Sequence, residues 1–114
     1  MTSYNVYLRN LNKSNSQNVD DLVKRGKDLS KPFIIDFFTT FSDRHESNIF
    51  IRIAYSKGYI GTQTYNDTDK CWEVKLTTSG VINHDTVEEF ISELKLFTEK
   101  YNGSVDGWIA NQLT

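Results

Sequence analysis

The sequence predicts a single α+β domain, and three observations predict it. Phe33 to Phe41 is apolar on both of its alternating faces, as a central strand should be. Cys71 to Thr78 alternates cleanly, with Trp72, Val74 and Leu76 on one side and Glu73, Lys75 and Thr77 on the other. Two longer stretches, after Ser42 and after Asn83, repeat apolar residues at helical spacing. With the weaker extended segments, the order is strand, helix, strand, strand, helix, strand, after a leading helix. That is the split β-α-β arrangement of a ferredoxin-like sandwich: a four-stranded antiparallel sheet with two helices on one face. The first and third strands then lie at the sheet centre, the second and fourth at its edges, and the second face stays open.

Each element has its own local reasons. Residues 1–15 are polar and Asn-rich apart from Tyr4, Val6 and Leu8, and read as an arm or a short edge strand; residues 16–114 form the domain. Val19, Leu22 and Val23 make a short helix over Ser16 to Lys27, with Ser16 or Asn18 as its cap and Gly26 as its end. Lys31-Pro32 forces an extended entry into the first strand. Ser42 offers the next N-cap, and Asp43 with Glu46 offers a second capping pattern. Ile49, Phe50, Ile53 and Ala54 form the buried stripe of that helix, and Gly58 supplies a left-handed stop.

Tyr59 to about Tyr65 is the second strand, and Asn66-Asp67-Thr68-Asp69 is a polar turn into the third. Asn83 or Asp85 begins the last helix. Val87, Phe90, Ile91, Leu94, Phe97 or Thr98, and Tyr101 share one of its faces. Asn102-Gly103 ends it, and Ser104 to Leu113 is the final strand. There Asp106 and Trp108 share a face by strict alternation, and Val105, Gly107 and Ile109 share the other. Gly107 inside a strand pattern signals a close backbone approach or a bulge.

Composition excludes several functions. The 114 residues suit one domain, and seven Phe, six Tyr and two Trp supply core bulk. A formal charge of −2 carries no basic patch for nucleic acid or an anionic membrane. No apolar run approaches the roughly 20 residues that span a bilayer. Met1 to Arg9 lacks a signal-peptide pattern, and the single cysteine, Cys71, forms no internal disulfide, so a cytoplasmic location is expected.

No catalytic centre is legible. His45 and His84 stand near helix starts beside acids, without the spacing of metal ligands, and read as exposed first-turn residues. Cys71 has no visible base or positive neighbour. The Asn66 to Asp69 turn lacks the glycine and terminal glutamate of a calcium loop, and the glycines make no nucleotide-binding pattern. No cofactor and no metal are expected. Asp36 and Phe38 on the first strand and Glu73 and Lys75 on the third are expected on the open face. RNA-recognition sheets place stacking aromatics on the central strands, and here Glu73 and Lys75 occupy those positions on the third, so direct RNA binding is not expected. Asp106 and Trp108 complete the candidate partner surface, since tryptophan is favoured at interface hot spots; a packing role for Trp108 at the core edge is the alternative.

Several segments in order carry a family likeness. Gly26-Lys27-Asp28-Leu29-Ser30-Lys31-Pro32 leads into an aromatic strand; Ser42 opens a helix ending in Lys57-Gly58-Tyr59; Trp72-Glu73-Val74 follows; and Glu99-Lys100-Tyr101 precedes Asp106-Gly107-Trp108. In this order the chain, over about residues 17–113, resembles the regulator of ribonuclease activity B family, the ribonuclease E inhibitor proteins. The resemblance implies a bacterial, cytoplasmic, non-catalytic domain that binds ribonuclease E and alters which RNAs are cleaved. An adaptor or immunity-type module with a non-nuclease protein partner is the alternative on the same fold. A two-fold homodimer through a sheet edge, at Ile60 to Tyr65 or at the last strand, is a further expectation.

Overall fold

A computed structural model describes residues 15–112. The arm or edge strand expected over residues 1–15 lies outside the described residues, apart from Asn15. The elements are α1 (Asn15–Lys24), β1 (Phe33–Phe41), α2 (Arg44–Ser56), β2 (Ile60–Asn66), β3 (Cys71–Gly80), α3 (His84–Lys100) and β4 (Gly103–Gln112). The strands form one antiparallel sheet in the order β2-β3-β1-β4. The central pair and both edges are those expected from the element order.

Local chemistry sets the helix ends. α1 begins at Asn15, so Ser16 and Asn18, expected as caps, lie inside it, and Asn18 is buried. It ends in a Schellman turn: Gly26 (φ 78°) donates to Val23 O and Lys27 N to Leu22 O. Asp43, not Ser42, caps α2, accepting from His45 N at 3.0 Å. The helix stops at Gly58 (φ 97°), where Tyr59 N reaches Ala54 O. α3 opens with a complete capping box: the Asn83 side chain accepts from Asp85 N and Thr86 N, and Thr86 Oγ1 accepts from Asn83 N. Asn102, at φ 61°, takes the left-handed position after α3.

The core lies between one sheet face and the helices. Phe33, Ile35, Phe37 and Phe41 of β1, Val74 and Leu76 of β3, and Trp108 of β4 meet Phe50 and Ala54 of α2 and Val87, Ile91 and Leu94 of α3. Val19 and Leu22 bring α1 into the same cluster. Phe50 stacks on Phe97 with ring centroids 4.7 Å apart and tilts against Phe41 at the same distance. The buried stripe of α2 differs from the expected one. Ser47, Phe50 and Ala54 are buried, Ile51 packs on the core, and Ile49 and Ile53 are only half-buried. A polar residue takes the inward position because its hydroxyl is satisfied there, between Arg44 O at 2.9 Å and Gln63 Oε1 at 2.7 Å.

Candidate functional site

The pairing register decides which side chains share the second sheet face. Asp36 sits opposite Thr77, Phe38 opposite Lys75, and Thr40 opposite Glu73 across β1 and β3. Residues directly opposite share a face, so these six lie together, turned away from the core set Phe37, Val74 and Leu76. Both larger helices are accounted for by the core on the other side.

β4 corrects the sequence expectation. Its register against β1 shifts between Phe38 and Thr39: Gly107 pairs with Phe38, and Val105 with Thr39, so Asp106 is the extra, bulged residue. A bulge breaks strict alternation. Trp108, opposite Phe37, therefore enters the core and is 3% exposed, while the Asp106 carboxylate bonds residues of the open face. Asp106 and Trp108 do not share a face. Val105 packs toward the core, and Gly107 and Ile109 fall on the open side with Phe38 and Asp36. Trp108 thus leaves the candidate surface, and Asp36, Glu73, Lys75 and Asp106 remain on it. Phe38 is on that side too, but only 7% exposed, so it offers no free ring for stacking.

Each of the three carboxylates accepts from a neutral donor among the described residues. Thr77 Oγ1 donates to Asp36 Oδ1 at 2.6 Å. Thr40 Oγ1 donates to Asp106 Oδ2 at 2.9 Å, and Ser104 Oγ lies 3.3 Å from Asp106 Oδ1. Asn66 Nδ2 donates to Glu73 Oε2 at 3.0 Å while Asn66 Oδ1 accepts from Thr68 N and Asp69 N, so the β2–β3 turn orients Glu73. Hydroxyl and amide donors fix a carboxylate without cancelling its charge. The strand residues of this face carry these three acids and one base, Lys75, which is exposed. Sequence reasoning found the acids and placed Thr77 beside them, but missed its donor role and missed Thr40, Ser104 and Asn66; hydroxyl residues paired across strands from acids were the available signal.

The side chains that might have carried reaction chemistry are placed otherwise. Burial pushes the Cys71 thiol above its ordinary pKa, and the nearby charges of Glu73, Asp69 and Asp106 push it further. A thiol so placed stays protonated and is a poor nucleophile. His45 is exposed in the first turn of α2. His84 Nε2 lies 3.2 Å from Asp20 Oδ1, joining the start of α3 to α1 at the surface. Among the described residues, no group of three His, Cys, Asp or Glu side chains is arranged to hold a metal ion, and no helix is long and apolar enough to cross a membrane.

A family model described as regulator of ribonuclease activity B matches residues 12–109, a span that takes in α1, the whole helix layer and most of β4. No curated protein matches the chain.

Proposed function

On the premise that this chain belongs to the regulator of ribonuclease activity B family, we propose that it binds a ribonuclease E-like endoribonuclease in the bacterial cytoplasm and modulates RNA cleavage without itself being an enzyme. We place the contact on the open face, at Asp36, Glu73, Lys75 and Asp106. The observation that supports this reading is the set of three half-buried carboxylates on one sheet face, each accepting from a neutral donor among the described residues.

The chemistry follows from charge. A nuclease that grips RNA needs basic surface to neutralise phosphates. A face with three oriented carboxylates and one lysine repels RNA and attracts such a basic segment. Occupying that segment lowers the nuclease's hold on those RNAs that depend on it most, which changes the choice of substrate as well as the rate. Partly exposed charges of this kind mainly steer encounter and set its salt dependence.

The test is RNA cleavage by the source organism's ribonuclease E, with and without a molar excess of this protein. Dose-dependent change in cleavage is expected, fading as salt rises. In the triple variant D36N/E73Q/D106N the side chains keep their acceptor oxygens and lose their charge. At about 0.5 kcal/mol for each of these partly exposed charges, its effective affinity should fall about tenfold. An active nuclease unaffected by folded wild-type protein refutes the nuclease reading. A triple variant as potent as wild type refutes the placement on the open face.

A further inference from the structure

The two edges of the sheet are built differently. β4 is guarded: it carries the Asp106 bulge, and Gln112 at its end is tied to the Asp28 loop, with Asp28 N donating to Gln112 Oε1 at 3.1 Å. Bulges, charges and covering loops are the means by which edge strands avoid pairing with other chains. Among the described residues, β2 has none of them. Its seven residues, Ile60-Gly61-Thr62-Gln63-Thr64-Tyr65-Asn66, include no charge and no proline, and no described residue pairs with its outer side. Ile60 and Tyr65 are 64% and 41% exposed. On its inner side β2 is well seated. It pairs with β3 along its whole length, and Gln63 bonds Ser47 and Asn48 of α2. The edge is well anchored on its inner side, uncharged and, among the described residues, uncovered.

We infer that this edge pairs with β2 of a second copy of the chain, antiparallel about a two-fold axis at Gln63, to make one continuous eight-stranded sheet. The strand's own sequence favours a copy of itself. For a two-fold axis perpendicular to the sheet, facing residues must lie on the same side, so their numbers must sum to an even value. Centring on Gln63 is the one such register that pairs all seven residues. It sets Thr62 against the copy's Thr64 on the open side, twice, and cross-strand threonine pairs are favourable. It sets Tyr65 against the copy's Gly61 on the helix side. A Cβ at Gly61 would be tight, 3.1 Å from Ile51 Cγ2 and 3.2 Å from Leu76 Cδ2, which favours glycine there. The exposed tyrosine ring of one copy then lies across the bare backbone of the other, an arrangement known to support glycine in sheets. No like charges meet anywhere along the pair. This inference stands apart from the nuclease reading.

Sedimentation equilibrium of the full chain, with two charge variants, tests it. A single pair of short strands sits at the small end of specific interfaces, so a dimer is expected with a dissociation constant in the micromolar range. T62K/T64K sets lysine against lysine at both symmetric positions and should weaken the dimer about tenfold or more. T62E/T64K introduces as many charges but sets glutamate against lysine, and should associate at least as well as wild type. Thr62 and Thr64 are both exposed, and they face Lys75 and Glu73 on β3, so the second variant is also well matched within its own chain. Circular dichroism checks that both variants fold. A wild-type chain that stays monomeric at about 1 mM, far above such a constant, overturns the inference. So does an equal loss of association in both variants.

Discussion

Replacing Trp108 separates the two roles that a conspicuous tryptophan can play. Its side chain is 3% exposed and belongs to the cluster that includes Phe37, Val19 and Leu22. Truncating a buried tryptophan to alanine costs about 3–5 kcal/mol, through lost transfer energy and the cavity left behind. A domain of this size has a total stability of about 6–17 kcal/mol, so W108A should remain folded in buffer but with little reserve. With a urea dependence of about 1.5–2 kcal/mol per molar, the unfolding midpoint should fall by about 2–3 M. W108F, which refills most of the space, should lose less than half as much. Urea unfolding followed by far-ultraviolet circular dichroism reads all three proteins, and the same preparations can be used in the cleavage assay. W108F should regulate cleavage as wild type does. A W108A midpoint within about 0.5 M of wild type, or a stable W108F that has lost regulation, would falsify the core placement and return Trp108 to the partner surface.

Two further predictions rest on single contacts. In G103A the new methyl group runs into the Phe41 ring, which is itself 2% exposed and hemmed in by Phe50. Neither side can yield, so chemical denaturation should show a loss of about 2–3 kcal/mol, whereas a neutral outcome would mean that β1 and β4 do not approach as described. Tyr59, half-buried against Phe37, has its pKa raised, first by burial and then by the charge of Glu93. A raised pKa in the folded state means that the folded chain holds the proton more tightly than the unfolded chain. Its contribution is complete below about pH 10 and is lost as pH climbs from there through the folded pKa. Denaturation midpoints measured from pH 9 upward should fall more steeply for wild type than for Y59F, and parallel curves would count against the burial of the hydroxyl.

What the sequence made legible is what short-range chemistry determines. The bounds of β1, the glycine stops at Gly26 and Gly58, the Asn83 start of α3 and the central placement of β1 and β3 all follow from turns, caps and alternation within a few residues. The facing of Trp108 does not, because a bulge is a relation between two strands. Gly107 signalled an irregularity, but only pairing against Phe38 and Thr39 shows that Asp106 is the residue set aside. The α2 stripe was misread for a similar reason. Ser47 turns inward because Gln63, sixteen residues later, meets its hydroxyl, and apolar periodicity has no means of registering that. Parity alone placed Asp36 and Glu73 on the open face, while the facing of Asp106 and the donors that orient all three acids required the register.

Those donors have a thermodynamic consequence beyond charge. A free surface carboxylate samples several rotamers and gives up that freedom when it binds, and each ordered side chain subtracts about 0.5–1.5 kcal/mol from an interface. Asp36, Asp106 and Glu73 have already surrendered much of it, to Thr77, to Thr40 and Ser104, and to Asn66. They stand on strands of the sheet, three of which run through its middle and guarded edge, where no loop must settle first. A partner meeting this face encounters acceptors whose positions were fixed during folding, so the ordering entropy of recognition falls on the partner's own flexible side chains.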